Sequence, residues 1–355
     1  MTARLARPVK SLARHLLRRP AAAAPPPPQE EAPQGLPQLI SVATGHHSYT
    51  LKTVAEALGE RGLRHERWSY ARLFSAPRLP RAVYILTDFD RLHPWRIELA
   101  GRIHQRLTEA GLTVLNDPRR FVPRTALLRR LYREGLNRFT CWLPAEGEMP
   151  ERYPVFLRTI HAHRGTESGL LHDADEAAAA LERALAEGRV LSDLTFVEFA
   201  AAPSPDSGKF RKHACYGVAG RMIRALTVTD DSWLAKSGVV GAATEADYAR
   251  DLEEHRDYPH AALMRRVFAL AGAEFGRADF GLVEGRPAIY ELNTNPHIRW
   301  GNPHPNADRN AANALIRDGL LAALAALPRP DPGPPVDMTD VLPRDPAHPD
   351  VYAQP

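Results

Sequence analysis

The sequence predicts an α/β protein in which a parallel strand–helix domain is followed by a longer α+β region. Apolar strands alternate with amphipathic helices up to about residue 116, which is typical of a parallel sheet. Beyond that point, strands occur in neighbouring pairs, and two of these pairs have the spacing of hairpins. A length of 355 residues allows two or three domains of ordinary size.

The composition excludes several classes of protein. A hydrophobic content of 44% and a charged content of 25% are typical of a soluble globular chain without an apolar run of about eighteen residues. Cys141 and Cys215 form no disulfide or metal pattern, so we expect a reducing compartment such as the cytoplasm. The net charge is only +4, and we therefore expect no nucleic-acid partner.

Both ends differ in composition from the rest. Residues 1–37 are predicted to be a basic tail and a proline-rich linker, and residues 328–355 an irregular proline-rich tail. Apolar residues at helical spacing within 1–19 would allow a weak membrane or partner contact. A disordered basic tail is the favoured alternative, because short isolated helices are marginally stable.

The first folded domain is predicted to span residues 38–116. Its elements are, in order, the strand "LISVATGHHSY", the helix "TLKTVAEALGERG", the strand "RAVYILTDFD", the helix "PWRIELAGRIHQRLTEAG" and the strand "LTVLND". The loops 44–48 and 88–93 follow the first two strands and should lie at the carboxyl edge, where ligands usually bind. His46 and His47 are either substrate contacts or solvated loop residues.

The elements after residue 116 follow the same logic. A helix should end at Gly135, and an alanine-rich helix should begin at Asp173 or Asp175. A strand and a glycine-containing loop lie between them, and the strand "LTFVEFA" follows. Further along are a hairpin turning within 217–220, a helix broken at Pro259, a hairpin at 278–293 and a closing helix within 307–327.

The hairpin at 278–293 concentrates metal-binding oxygens. Side chains alternate between faces along a strand, so a register that pairs Phe280 with Leu292 and Leu282 with Tyr290 makes one face apolar. That register requires an odd-length connection or a bulge. The other face then carries Asp279, Glu291 and Asn293, a donor set suited to a hard cation such as Mg²⁺. A solvated acidic face is the alternative.

The pattern "D…ELNTNP" closely resembles the closing motif of the ATP-grasp superfamily, which includes glutathione synthetase and D-alanine–D-alanine ligase. The resemblance covers roughly residues 39–325. It implies a pre-ATP-grasp domain followed by two ATP-grasp subdomains at 117–195 and 196–327, with ATP between them. It also implies that Asp279, Glu291 and Asn293 hold Mg²⁺, or Mn²⁺ in its place, against the ATP phosphates.

Other positions are assigned by the same resemblance. Arg124, eleven residues before Gly135, and Arg158, at the end of "PVFLR", stand where the family commonly has phosphate-binding lysines. Arginine keeps the charge and adds a bidentate fork. The remaining matches are a mobile phosphate loop with Gly165, an adenine-contacting hinge with Glu198, and two basic residues facing the transferred phosphate or acyl intermediate, Arg211 and Arg224.

The resemblance implies a ligase that joins a small-molecule or peptide carboxylate to an amine or thiol through an acyl phosphate. A small-molecule kinase and a non-catalytic nucleotide-binding regulatory protein are the alternatives. The segment "HIRWGNPHPN" should border the substrate, with Arg299 suited to an anionic group. "ADFG" copies a protein-kinase motif, but the glycine-rich loop, the "VAIK" lysine and the "HRD…N" loop of kinases are absent from the sequence.

Overall fold

The computed structural model describes residues 37–161, 165–235, 238–239, 241–300 and 303–342. The predicted basic segment 1–19, the linker that follows it, and the last thirteen residues lie outside these ranges. No helix within the described ranges is both long enough and apolar enough to cross a membrane. Cys141 and Cys215 are buried free thiols.

The N-terminal part forms the predicted parallel sheet. Its strands are β1 Leu39–Ala43, β2 His65–Ser69, β4 Val83–Leu86 and β5 Val114–Leu115, in the order β2-β1-β4-β5, and β3 Arg78–Leu79 lies apart. Its helices are α1 Lys52–Glu60, α2 Tyr70–Ser75 and α3 Pro94–Glu109. The sequence analysis did not predict β2 and α2. As an edge strand, β2 is paired on one side only and carries charged residues without an apolar run.

The middle of the chain forms a three-stranded antiparallel sheet. Its elements are α4 Arg124–Arg133, β6 Cys141–Trp142, β7 Val155–Thr159, α5 Ala174–Ala186 and β8 Leu194–Glu198, with the strand order β6-β8-β7. Leu157 pairs with Phe196, so β8 completes this sheet. The subdomain boundary predicted between residues 195 and 196 therefore falls inside a strand.

The third part is a five-stranded antiparallel sheet covered by helices. It contains β9 Phe210–Val218, β10 Arg221–Arg224, β11 Val228–Asp230, α6 Glu245–Arg256, α7 Ala261–Ala271, β12 Phe275–Val283, β13 Arg286–Asn293 and α8 Ala307–Ala325. The order is β10-β9-β12-β13, and β11 pairs with residues 210–212 of β9, on the edge that β10 occupies further along. The hairpin turn after Val218 and the helix break at Pro259 confirm the prediction.

The C-terminal tail is not irregular throughout, and this part of the prediction was wrong. β14 Val336–Asp337 pairs antiparallel with β3, and the Met338 amide donates to the Pro77 carbonyl at 2.9 Å. Met338 is fully buried in the same core as Leu79. Two apolar residues are sufficient here, because the pairing partner is an edge that the first domain leaves open.

Candidate functional site

The hairpin β12–β13 forms through a two-residue turn. Glu284 and Gly285 both have positive φ angles, of 50° and 73°, which suits the right-handed twist of the flanking strands. From this turn Phe280 pairs with Ile289, but further along Asp279 pairs with Glu291. Tyr290 is thus the extra residue of a β-bulge.

The predicted pairs Phe280–Leu292 and Leu282–Tyr290 were wrong, because a two-residue turn sets a different parity. The bulge that was predicted for this case is present, and it returns Asp279 to the same face as Glu291 and Asn293. Asp279 lies directly opposite Glu291, and Asn293 lies opposite Arg277. Since positions two apart share a face, these four side chains line the same cavity.

Tyr290 lies on the other side of the hairpin from its predicted place. Phe280, Ile289 and Leu292 pack in the core with α4 and α7, whereas Tyr290 lines the cavity. The Tyr290 hydroxyl donates to the Ala200 carbonyl at 3.0 Å, and its ring occupies the space where a Cβ on Gly281 would lie. The bulge is what turns Tyr290 towards the cavity.

Each carboxylate of this face is paired with an arginine. Arg277 donates from Nε and Nη2 to the two oxygens of Asp279, at 2.6 and 2.9 Å, and Lys212 Nζ lies 3.8 Å from Oδ2. Arg124 forms an ion pair with Glu291. The amide oxygen of Asn293 accepts the Asn295 N–H at 2.8 Å. Two carboxylates and an amide on one face fit a hard divalent cation. Without a cation, the two arginines balance the charge of the carboxylates.

The cavity beside the hairpin has two chemically different ends. Its volume is about 360 Å³, and it lies between the sheet of β7 and β8 and the sheet of β9, β12 and β13. The charged end comprises the hairpin face and three basic residues, Arg158, Arg211 and Lys212. The aromatic end contains Trp233, whose ring centroid lies 4.9 Å from Phe156 and 5.4 Å from Phe199.

Most of the predicted phosphate and hinge residues reach this cavity. Gly165, with φ +102°, lines it, although residues 162–164 of the predicted mobile loop lie outside the described ranges. Burial, together with the charge of Arg124, lowers the pKa of Arg158 to about 10. Arg124 does not line the cavity itself but reaches it through Glu291.

Glu198 lines the cavity and is already engaged. Arg152 donates to both of its oxygens, at 3.0 and 2.7 Å, and the Thr140 amide donates at 3.2 Å. The main chain that follows it, at residues 199–202, also lines the aromatic end. A flat ligand at that end would therefore meet hinge backbone and aromatic rings, with a neutralised Glu198 carboxylate beside them.

Arg224, unlike Arg211, lies outside the cavity. Its side chain is 1% exposed and donates to Asp251 at 2.8 Å, to Glu254 at 2.9 Å and to Thr227 at 2.9 Å. Arg211 binds the same Asp251 carboxylate, also at 2.8 Å. A buried guanidinium must be paired, and α6 supplies the carboxylates that keep Arg224 away from the cavity.

A second cavity of about 380 Å³ adjoins the first. The two share Lys212, Arg277 and Asp279, so they meet at the hairpin face that carries Asp279. Arg299 and Trp300, from the segment "HIRWGNPHPN" that was predicted to border the substrate, line the second cavity together with Arg309 from α8.

The carboxyl edge of the parallel sheet packs against "NTNP", the segment immediately before "HIRWGNPHPN". The Asp88 amide donates to Thr294 at 3.2 Å, and the Thr50 hydroxyl donates to Asn295 at 2.6 Å. His47 is held by Asp88, with Nδ1 3.1 Å from Oδ2, whereas His46 is exposed. The predicted loops at this edge therefore meet the "NTNP" motif.

No family model matches the sequence, and no curated protein matches it. Among solved structures, the ATP-grasp ligase PsnB complexed with a minimal precursor is similar over 81% of this chain and 100% of its own, with 16% identity and a TM-score of 0.50. The same ligase with a phosphomimetic precursor variant, Mg and ADP covers 82% and 100%, at 15% identity and a TM-score of 0.50. This chain has the ATP-grasp fold.

The ATP-grasp fold confirms the architecture expected from "ELNTNP", a parallel domain followed by two antiparallel sheets. A D-alanine–D-alanine ligase from Bacillus anthracis complexed with ATP is also similar, over 81% of this chain and 99% of its own, with 12% identity and a TM-score of 0.43.

Sequence reasoning missed several residues of the ATP-grasp cavity. Arg277 stands two residues before Asp279, so strand alternation alone places it on the metal-binding face. Lys212 could have been found as the neighbour of Arg211 in the strand. Trp233 and Tyr290 gave no signal, because the first follows a strand in an irregular segment and the second depends on the bulge.

Proposed function

We propose that the protein is an ATP- and Mg²⁺-dependent ligase that joins a carboxylate, of a small molecule or a peptide, to an amine or thiol. The main support is the first cavity, which pairs an aromatic end with a cationic end and adjoins a second cationic cavity through Lys212, Arg277 and Asp279. A nucleotide triphosphate has the matching shape, with a flat base and a polyanionic tail.

The residues divide by their place in the cavity. Phe156, Phe199 and Trp233 would stack around the base, with Glu198 and the hinge backbone beside it. Arg124, Arg158 and the Gly165 loop would contact the phosphates. Asp279, Glu291 and Asn293 would hold Mg²⁺ or Mn²⁺, which when bound supplies neutralisation of the phosphate charge.

The reaction takes place where the cavities meet. A substrate carboxylate oxygen attacks the γ-phosphorus, the bond to ADP breaks, and an acyl phosphate forms. An amine then attacks the acyl carbon, inorganic phosphate leaves, and the amine proton passes to solvent. Arg211, Lys212 and Arg277 line this junction or its phosphate side and would stabilise the developing negative charge.

Two further residues fit this scheme without touching the substrate. Arg224 would act as a positioning residue, because it holds Asp251, which in turn orients Arg211. Burial raises the pKa of Cys215 to about 12, so this thiol is protonated at neutral pH and unsuited to act as a nucleophile. The scheme needs no covalent enzyme intermediate.

PsnB has been solved with a phosphomimetic precursor variant, Mg and ADP, and this supports a magnesium-bound nucleotide as the ligand of the first cavity. The test incubates the chain with ATP, Mg²⁺, hydroxylamine and a panel of carboxylic acids and peptides. ADP formed together with an acyl hydroxamate supports the ligase. ADP with a phosphorylated alcohol would indicate a kinase, and nucleotide binding without ADP formation would indicate a regulatory protein.

A further inference from the structure

The second cavity carries more positive charge than its acids can balance. Among the described residues, four basic side chains line it, and Asp279 is the one acid. Asp279 is already bound by Arg277 through two hydrogen bonds and approached by Lys212. Within the described ranges, no carboxylate forms an ion pair with Arg299 or Arg309.

Arg309 occupies an unfavourable position for a cation. It lies in the first turn of α8, where the helix dipole is positive and where acidic residues are normally stabilising. Burial lowers the pKa of Arg309 from its ordinary value, and the charge of Asp251 offsets only part of this effect. Its Nη1 donates to the Thr227 carbonyl at 3.0 Å, so the side chain is held in place. An anion in the cavity would offset these costs.

Trp300 lines the same cavity as Arg299 and Arg309. Its indole N–H is shielded from solvent and therefore does not face the open volume of the cavity. The donors that an anionic group would meet there are the guanidinium groups of Arg299 and Arg309.

We propose that the acid substrate is a dicarboxylic unit, whose second carboxylate binds Arg299 and Arg309 while the first lies beside Lys212 and Arg277. This inference rests on the proposed function, since it assigns the reacting carboxylate to the junction of the two cavities. Arginine forks suit the planar oxygens of a carboxylate. A volume of about 380 Å³ admits a short dicarboxylic acid or one acidic end of a peptide.

Calorimetric titration of the full chain, with and without MgADP and at constant ionic strength, tests this proposal. Glutarate is compared with butyrate, and an end-blocked peptide with two adjacent glutamates is compared with one in which a glutamine replaces one glutamate. We expect the diacid to bind at least tenfold more tightly than the monoacid in one of the two arms, and that arm identifies a free acid or a peptide.

Variants separate this site from the nucleotide site. Arg309→Gln and Arg299→Gln should each remove most of the preference for the diacid while MgADP affinity stays within twofold. Arg317→Gln, on the exposed side of the same helix, should retain the preference. A parent protein that binds diacid and monoacid equally, or neither, would overturn the proposal. So would both variants keeping the full preference. A diacid preference without any MgADP binding would instead reject the nucleotide-dependent function.

Discussion

Single residues in the first cavity explain how so many charges share a small volume. Arg277 and Arg124 each hold one of the two facing carboxylates, so that neither Asp279 nor Glu291 is unbalanced. Arg124 also stands where a phosphate contact is proposed. The same guanidinium can therefore serve the carboxylate before binding and the phosphate afterwards.

This exchange predicts opposite effects of Arg124→Ala on two ligands. ATP affinity should fall by about 1.5–3 kcal/mol, because a charge-assisted phosphate contact is lost. Mn²⁺ affinity without nucleotide should rise, because Glu291 loses its competing cation. Calorimetry measures the first, and the paramagnetic signal of free Mn²⁺ measures the second. Arg124→Lys should be milder, and Arg133→Ala, exposed on the same helix, should change neither. Equal losses for both ligands would contradict the exchange.

Glu291→Gln tests the proposed metal site directly. The substitution keeps the shape of the side chain and removes one negative charge, so the protein should melt near the parent temperature but need far more Mg²⁺ for ATP turnover. A magnesium titration of ADP release beside a thermal melt measures both. Glu284→Gln, in the exposed turn of the same hairpin, is the matched control. Normal turnover at low magnesium in Glu291→Gln would remove the metal role from this residue.

At the scale of elements, the β12–β13 hairpin shows how a bulge can preserve a functional face. The register set by the two-residue turn would place Asp279 and Glu291 on opposite faces of the hairpin. The bulge at Tyr290 shifts this register by one residue, so that both carboxylates lie on the same face. Its ring fills the space above Gly281 and its hydroxyl fixes the hinge backbone at Ala200. The bulge thus links the metal-binding face to the aromatic end of the cavity.

Gly281→Ala should disturb this link. The added methyl group would meet the Tyr290 ring, so we expect a loss of about 1–3 kcal/mol in the free energy of unfolding and weaker nucleotide binding. Denaturant unfolding and calorimetry measure the two effects. In a Tyr290→Leu background the same substitution should cost much less, because the clash is gone. An equal cost in both backgrounds would show that the strain lies elsewhere.

At the scale of the whole molecule, distant parts of the chain complete each other's surfaces. Arg309 from the closing helix completes the second cavity, and Thr294 docks on the parallel sheet. Val336 and Met338 close the core of the first domain, more than 200 residues after its other members. This last contact changes what the tail is expected to do.

We expect the tail to contribute to the free energy of unfolding through β14, and the residues after Leu342 to contribute nothing. A chain ending at Pro335 loses the burial of Val336 and Met338, worth about 1.5–3 kcal/mol for each side chain, and should melt at a lower temperature. A chain ending at Leu342 should melt like the parent. Removing residues 1–36 and roughly 330–355 is predicted to leave nucleotide affinity unchanged, because their composition offers little apolar surface to bury. Identical melting of the two truncated chains would show that β14 contributes little.

The sequence by itself determined the features that follow from local periodicity. Strand–helix alternation predicted the parallel sheet, and the two-residue period placed Glu291 and Asn293 on one face of their strand. Bringing Asp279 to that face required a bulge or an odd-length connection, as predicted from the sequence. The motif "ELNTNP" then indicated the fold. These signals can be read because they depend on neighbours along the chain.

Only the tertiary structure decided the features that depend on contacts between distant residues. The register shift at Tyr290, the pairing of Arg124 with Glu291, the burial of Arg224 by α6 and the strand in the tail all have partners that sequence spacing does not reveal. In the sequence, an arginine that faces a cavity cannot be told apart from one that binds a buried carboxylate. Its role is set by desolvation and by which charges the fold brings within a few ångströms, and packing alone determines both.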